Sequence, residues 1–302
     1  MESFMKQTTL LLGVLCFSVV ATSPFGALAE TQENTNEPTQ EPSTLKANFR
    51  RLGLELSSTQ VKHSDQYQNS SISALNADSQ TVVKGVFDFV MEYGKGNIHW
   101  DNSVFAEYAK TKLKPSDGPT DTNETADKIL LSTNYTHKMF SPCDASVGPF
   151  ADLAYQTEFT KNNDSPRAKI FRGMLGLKLF DGVVFKDLYA GFVQEYDMTY
   201  DPNIYKLGAQ IGWRIEKPLR EGVKFSADGY YRHFFSYSHY IGEDLKYDFN
   251  ITGRMDVKIT DVLTLGPYLS YRRARSRQAS ADGSNFMIGL AFGYSDIFDL
   301  FK

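Results

Sequence analysis

The sequence predicts an all-β protein, a transmembrane antiparallel up-and-down β-barrel of about 12 strands. From residue 48 onward, large apolar residues alternate with polar or small ones, which is the period of a strand with two different faces. The alternating segments run for about ten residues or more, enough for a tilted strand to cross an outer membrane, whereas sandwich strands are usually nearer five or six. Because a closed barrel of this size is too wide to fill with side chains, we expect a wet lumen and an apolar outer face.

The chain begins with features of a secretory signal peptide at residues 1–29. Lys6 precedes an apolar run at 10–21, and the small-residue cleavage motif Ala27-Leu28-Ala29 stands directly before Glu30. Residues 30–47 are acidic and almost free of apolar side chains, so they are predicted to form a disordered leader. The barrel is then expected to occupy residues 48–302.

Charge and cysteine content argue against a nucleic-acid-binding protein and against a disulfide scaffold. The formal net charge is −4 and does not change when the signal peptide leaves, because Glu2 and Lys6 leave together. A nearly balanced chain gives no reason to expect a nucleic-acid partner. Cys143 is the one cysteine after residue 29, so the mature chain has no internal disulfide, and we interpret this residue as part of a turn.

The first six strands are predicted at residues 49–61, 81–93, 97–111, 127–140, 150–160 and 169–180. In each, a polar face opposes an apolar one. The apolar faces carry, in order, Leu52, Leu54 and Leu56; Val83, Phe87 and Phe89; Ile98, Trp100 and Val104; Ile129, Leu131 and Tyr135; Leu153, Tyr155 and Phe159; and Phe171, Leu175 and Leu177.

The second six strands alternate more regularly, and are predicted at residues 186–198, 205–216, 223–237, 245–259, 263–271 and 284–294. The tenth is the clearest, since apolar residues occupy every second position from 245 to 259. Connections after even-numbered strands are short, whereas most of those after odd-numbered strands are longer or more polar. This alternation, with an even strand number, predicts a bacterial outer-membrane barrel with both termini in the periplasm.

The closing strand has the pattern Gly-x-x-aromatic-x-aromatic at Gly289, Phe292 and Tyr294. It resembles the sorting signal that barrel assembly machinery reads, so these residues are the predicted assembly signal. The chain continues past the aromatic pair through residues 295–302. We expect this tail to be dispensable for assembly.

Several motifs between residues 100 and 178 resemble those of uncharacterised outer-membrane barrels that include the salt-induced outer-membrane proteins. The motifs are Trp100-Asp101-Asn102, Glu107-Tyr108, Asp127-Lys128-Ile129-Leu130-Leu131, Gly148-Pro149-Phe150-Ala151 and Tyr155-Gln156-Thr157-Glu158-Phe159. The resemblance implies an outer-membrane barrel and carries no reaction with it.

Charged residues of both signs lie on the face opposite the apolar one, which we interpret as the lumen. Opposite charges on neighbouring strands tend to pair, whereas a strongly selective pore would show a track of one sign. The sequence therefore predicts a narrow, charge-compensated lumen. The predicted pore-lining residues are Glu195, Asp197, Lys206, Arg214, Glu216, Lys224, Asp228, Arg232, Lys246, Asp248, Arg254 and Asp256.

Two further clusters invite a binding role. Arg272, Arg273, Arg275 and Arg277 crowd the outer end of the eleventh strand and could contact lipopolysaccharide phosphates; the alternative is an ordinary charged loop. The acidic loop 117–127 lacks the glycine and final glutamate of an EF-hand, so we expect a solvated loop. The sequence predicts neither a metal site nor a cofactor.

Three functions remain open at this stage. A narrow channel or transporter for small solutes accounts for the charged inner face. A non-conducting structural or envelope-interaction barrel accounts for the mutual charge compensation and the acidic leader. A lipid-modifying enzyme is the weakest, because neither His137 nor His233 stands in a phospholipase-like motif, and we predict no enzyme. The expected partners are outer-membrane lipid and lipopolysaccharide, the barrel assembly machinery and a small solute.

Overall fold

The computed structural model describes residues 43–68, 70, 72–76, 81–113, 121–142, 144–160 and 166–301. The predicted signal peptide, residues 30–42 of the predicted leader, Cys143 and residues 117–120 of the acidic loop lie outside the described residues. Residues 121–127, expected in that loop, are instead part of a strand, because their backbone pairs with the preceding strand.

Twelve strands form a closed antiparallel barrel in which each strand pairs with its neighbours in sequence and β12 pairs with β1. The predicted fold class is confirmed. The strands are β1 Ser43–Lys62, β2 Thr81–Lys95, β3 Ile98–Leu113, β4 Asp121–His137, β5 Ser146–Thr157, β6 Ile170–Phe180, β7 Phe185–Asp197, β8 Ile204–Arg220, β9 Val223–Tyr237, β10 Leu245–Lys258, β11 Leu263–Ser276 and β12 Gly283–Phe301.

Apolar side chains point outward and polar side chains point into the barrel. On β1, Leu54 and Leu56 are 59% and 54% exposed, whereas Glu55 and Ser57 between them are 2% and 3% exposed. The same alternation continues on β12, where Leu290 is exposed and Ala291 is buried. A soluble protein buries its apolar face, so this inside-out arrangement is the one that a barrel adopts in a bilayer.

The two ends of the barrel differ in their connections. At the end that holds both termini of the barrel, β2 and β3 are joined by residues 96–97, and β8 and β9 by residues 221–222. At the opposite end, the β1–β2 connection contains a 3₁₀ turn, Ser64–Tyr67, and a short helix α1, Ser73–Asn76. We call the end with both termini and the short turns the rim end, and the opposite end the loop end. Of the described helices, none is long and apolar enough to cross a membrane.

The closing seam between β1 and β12 is longer than the sequence predicted. β1 begins at Ser43, inside the predicted leader, and β12 continues to Phe301, so Leu45 pairs with Phe301 and Phe49 with Asp296. On its other side β12 meets the start of β11, where Leu263 pairs with Tyr294. Residues 43–48 carry few apolar side chains, so the alternation in the sequence does not indicate a strand there; their pairing with neighbouring strands forms it.

The nearly bare inner face of β12 makes room for large side chains from its neighbours. Gly289 lies opposite Tyr268, whose side chain is buried. A methyl group on Gly293 would lie 3.7 Å from the Cγ atom of Arg51. The closer approach is at Gly289, where a methyl group would lie 2.1 Å from the carbonyl oxygen of Leu56, so the backbone of β1 requires glycine there. Phe292, of the predicted assembly signal, is exposed on the outer face.

A chain that ends at Ser295 is expected to form a less stable barrel than the full chain, because Leu45–Phe49 would lose the backbone partners that β12 supplies. We expect a lower temperature for the shift from the folded to the unfolded band in heat-modifiability gels.

The control is the double variant F298A/F301A, which keeps the backbone ladder and removes only side chains. A truncated chain as heat-resistant as the full chain would contradict the structural role of the tail.

Candidate functional site

The barrel encloses a lumen of about 970 Å³. Its walls receive side chains from all twelve strands, and it extends from Ser70, Ile72 and Ala74 in the β1–β2 loop to Ser295 and Ile297 near the rim. Because acidic and basic side chains line it together, the lumen is the candidate functional site.

Most of the predicted pore-lining residues line this lumen. Asp256 borders a separate cavity of about 30 Å³ near Arg254 and Ser295. Lys246 is exposed and does not line the lumen, so its predicted role is wrong: the register of β10 slips between Leu245 and Tyr247, which takes Lys246 out of the regular alternation. The residues that do line it are Glu195, Asp197, Lys206, Arg214, Glu216, Lys224, Asp228, Arg232, Asp248 and Arg254.

Glu195 is the centre of a buried ion-pair network on β6–β9. Its carboxylate lies 2.6 Å from Arg172 Nη2, 3.1 Å from Lys206 Nζ and 3.7 Å from Arg232 Nη1. Lys206 also pairs with Asp197 at 2.7 Å. Arg172 was not among the predicted pore-lining residues, although its position opposite the apolar face of β6 could have indicated it.

Asp248 is the centre of a second group. Arg272 donates from Nε and Nη2 to the two carboxylate oxygens at 3.0 and 2.8 Å, and the Tyr230 hydroxyl donates to Asp248 at 2.7 Å. Arg272 therefore faces the lumen, and its predicted contact with lipopolysaccharide is wrong. The reason is the strand period: Arg272 shares the inner face with Ser270, whereas Arg273 is on the other face.

The remaining members of the predicted arginine cluster have protein partners at the loop end. Arg273 and Arg275 both pair with Asp282, the latter at 3.2 Å. The guanidinium of Arg277 lies 4.1 and 4.3 Å from the ring centroids of Tyr237 and Tyr240. None of the three lines the lumen; the side chains of Arg273 and Arg277 are exposed, and that of Arg275 is half-buried.

A third ion-pair group occupies the opposite wall, on β1–β3, and was not predicted. Glu55 lies 2.7 Å from Arg51 Nη1 and 2.9 Å from Lys84 Nζ, and Lys84 reaches Glu107 at 3.3 Å. Two acids and two bases thus balance within this group. The signal was present in the sequence, because Lys84 opposes the apolar face of β2, but its partners could be identified only from the register.

The rim half contains a fourth group around Asp187, which pairs with Lys178 at 2.9 Å and with Arg214. Nearby, His99 Nε2 lies 3.0 Å from Asp101.

Within the described residues, no three metal-ligating side chains come together. Asp127, from the acidic loop, instead accepts hydrogen bonds from the backbone amides of Phe159 and Thr160 at 2.7 and 2.8 Å.

The β1–β2 loop packs over the loop end of the lumen through a small apolar cluster. Tyr67 and Leu75 are buried against Ala274 and Ala279, and we call these four residues the mouth cluster. The Tyr67 hydroxyl lies 3.1 and 2.9 Å from the carbonyl oxygens of Ala274 and Ala281. Ala74 accepts a 2.6 Å hydrogen bond from the Asn285 side chain of β12.

Gly283 gives the ring of Tyr67 its space. A methyl group at Gly283 would lie 2.7 Å from the Cε2 atom of that ring. Gln66 adds a polar contact, since its side-chain oxygen accepts from the amides of Ser280 and Ala281 at 2.9 and 3.2 Å. The β1–β2 loop is therefore fixed to the β11–β12 loop by apolar and polar contacts.

Residues 68–163 match the model of a protein family of unknown function (DUF3078). The match covers a minority of the chain, and it does not test the resemblance to the salt-induced outer-membrane proteins, which stays a prediction. A search of curated proteins finds no match to the chain.

Several solved structures have a similar fold, and they are outer-membrane barrels whose functions differ from one another. The outer membrane phospholipase A of Escherichia coli is 12% identical, with 86% of this chain and 94% of that chain covered and a TM-score of 0.43. An outer membrane channel from Pseudomonas putida F1 is 9% identical, with 87% and 100% covered and a TM-score of 0.44. The translocator domain of the autotransporter NalP from Neisseria meningitidis is 10% identical, with 86% and 90% covered and a TM-score of 0.32.

Replacing Glu195 with Gln is expected to destabilise the barrel by about 3 kcal/mol, because Arg172, Lys206 and Arg232 would share a buried site without its central anion. Urea unfolding of the purified protein in detergent, followed by near-ultraviolet circular dichroism, measures the change.

The matched control is D228N, which also removes a carboxylate from the lumen; among the described residues, Asp228 makes no ion pair. Equal stability of E195Q and D228N would show that the Glu195 network does not support the fold.

Proposed function

We propose that this protein is a bacterial outer-membrane barrel that conducts small solutes through a narrow, charge-compensated lumen covered at one mouth by its own loop. The observation that supports this best is the 970 Å³ cavity, which extends from beneath the β1–β2 loop to the rim. A cavity lined by ionised groups holds water, and water-filled space along the axis of a barrel is the requirement for conduction.

The outer-membrane location rests on the outer face. Large apolar residues are exposed there on strands that are 11 to 20 residues long, as a tilted strand in a bilayer requires. We assign the rim end to the periplasm, because short turns face the periplasm in barrels of this kind and longer loops face outward. Both ends of the barrel domain would then be periplasmic.

Narrowness follows from the long ionised side chains that extend inward from the walls. Arg272 on β11 and Glu107 on β3, four strands apart, are within electrostatic reach of each other. Because both signs are distributed over the walls, the lumen as a whole offers no track of one sign to a permeating ion. Strong overall selectivity for charge is therefore not expected.

A non-conducting envelope barrel is the second candidate, and the mouth cluster favours it. If Tyr67 holds the β1–β2 loop in place permanently, solutes would not pass the loop end. In that case the exposed loop and outer strand ends would be the functional surface. Arg273 is a candidate there for contact with lipopolysaccharide phosphate, since it is exposed beside Asp282.

Wild-type protein in planar bilayers is expected to give small or infrequent current steps. The variant Y67A is expected to raise the open probability, because it removes both the buried ring and the hydroxyl that contacts Ala274 and Ala281. Y67F, which keeps the ring, should fall between the two.

Tyr240→Ala is the control, because Tyr240 is an exposed aromatic residue of a different loop. Large, stable currents from the wild type would contradict the narrow, covered lumen. Absence of current from both wild type and Y67A would favour the non-conducting barrel.

A further inference from the structure

The loop half of the lumen contains a local excess of positive charge. Four cationic side chains face it there, from β4, β6, β9 and β11: Lys128, Arg172, Arg232 and Arg272. The carboxylates in direct contact with these groups are Glu195 and Asp248, and Glu195 is shared with Lys206. Over the rest of the lumen lining, carboxylates outnumber cationic side chains, so the positive excess is confined to this group, which we call the cationic cluster.

The hydrogen bonds of the arginines leave donors directed away from their carboxylates. Arg172 and Arg272 each bind a carboxylate through Nε and Nη2, which leaves Nη1 of each guanidinium outside these bonds. Arg232 donates from Nε to Gln210 at 2.7 Å, and its guanidinium lies 5.1 Å from the ring centroid of Tyr230. The pairs thus hold the guanidiniums in place without using all their N–H groups.

Lys128 has no carboxylate within ion-pair distance among the side chains that the structure describes. Its ammonium lies 5.3 Å from the ring centroid of Phe105, and it is within electrostatic reach of Arg172, Arg272, Glu107 and Asp248. Glu107 stands directly opposite Lys128 on the neighbouring strand β3, but its carboxylate pairs with Lys84 at 3.3 Å. Lys128 therefore contributes a positive charge that the neighbouring groups do not neutralise.

We propose that the cationic cluster binds a small multivalent anion, a compound that carries two or more carboxylate or phosphate groups. Guanidinium N–H groups match the oxygens of both, and a lysine ammonium adds a point charge. The enclosed position raises the strength of these contacts relative to water. This inference rests on the proposed function to the extent that the ligand must enter the lumen.

The rim half supplies a contrasting site within the same lumen. Arg254 lines the cavity there and pairs with Asp256 at 2.7 Å. Removing its charge changes the net charge of the lumen as much as removing Lys128 does. A comparison of the two variants therefore separates binding at the cluster from a general effect of charge.

Isothermal titration calorimetry of the detergent-purified full-length protein with citrate, and separately with inorganic pyrophosphate, tests the proposal without requiring conduction. We expect saturable binding that weakens as salt is raised. K128Q and R232Q should each weaken it about tenfold, whereas R254Q should leave it within about twofold of wild type. Circular dichroism and heat-modifiability confirm that each variant is folded.

Preference for citrate or for pyrophosphate would identify the carboxylate or phosphate source of the ligand. Absence of saturable binding of either anion by the wild type, or equal loss in K128Q and R254Q, would overturn the proposal. Binding without any bilayer current would support the site and reject conduction, so the two proposals fail separately.

Discussion

The burial of ionised side chains inside a closed barrel is the constraint on which the rest of the structure depends. Each charge taken from bulk water must find an opposite charge or a hydrogen-bond donor of suitable geometry. Here the register supplies those partners: Glu195 stands opposite Arg172 on β6 and opposite Lys206 on β8. Closing the barrel through β1 and β12 satisfies the backbone of both strands at the same time.

How far the sequence predicts this fold depends on the period of two. Alternation of apolar and polar residues was enough to identify all twelve strands and the inward face of β7–β10, where residues such as Arg214 and Asp228 line the lumen. The alternation failed as a guide where a bulge interrupts it, or where the two faces of a strand differ little in polarity. The bulge at Lys246 and the polar start of β1 both depend on pairing with the neighbouring strand. The sequence of one strand does not specify that pairing, so neither feature could be predicted.

Contacts between loops could not be predicted from the sequence because the contacting residues are far apart in the chain. Tyr67 follows β1 by a few residues but packs on Ala274 and Ala279, more than two hundred positions away, and on the space left by Gly283. The partners of the lumen charges could not be predicted for the same reason. In the sequence Arg272 is one of four clustered arginines, and only the pairing of β11 with β10 brings it beside Asp248. Residue type predicted the chemistry of the lumen, and register decided its pairs.

The central claim is that the lumen is accessible to small solutes from the rim and covered at the loop end. Its most direct test places a cysteine at Ser226, a lumen residue, in a C143S background and follows labelling by a small, membrane-impermeant thiol reagent in vesicles of known orientation. We expect reaction from the rim side and much slower reaction from the loop side, with the difference abolished by Y67A. Equally fast labelling from the loop side of the barrel with Tyr67 intact would contradict the account.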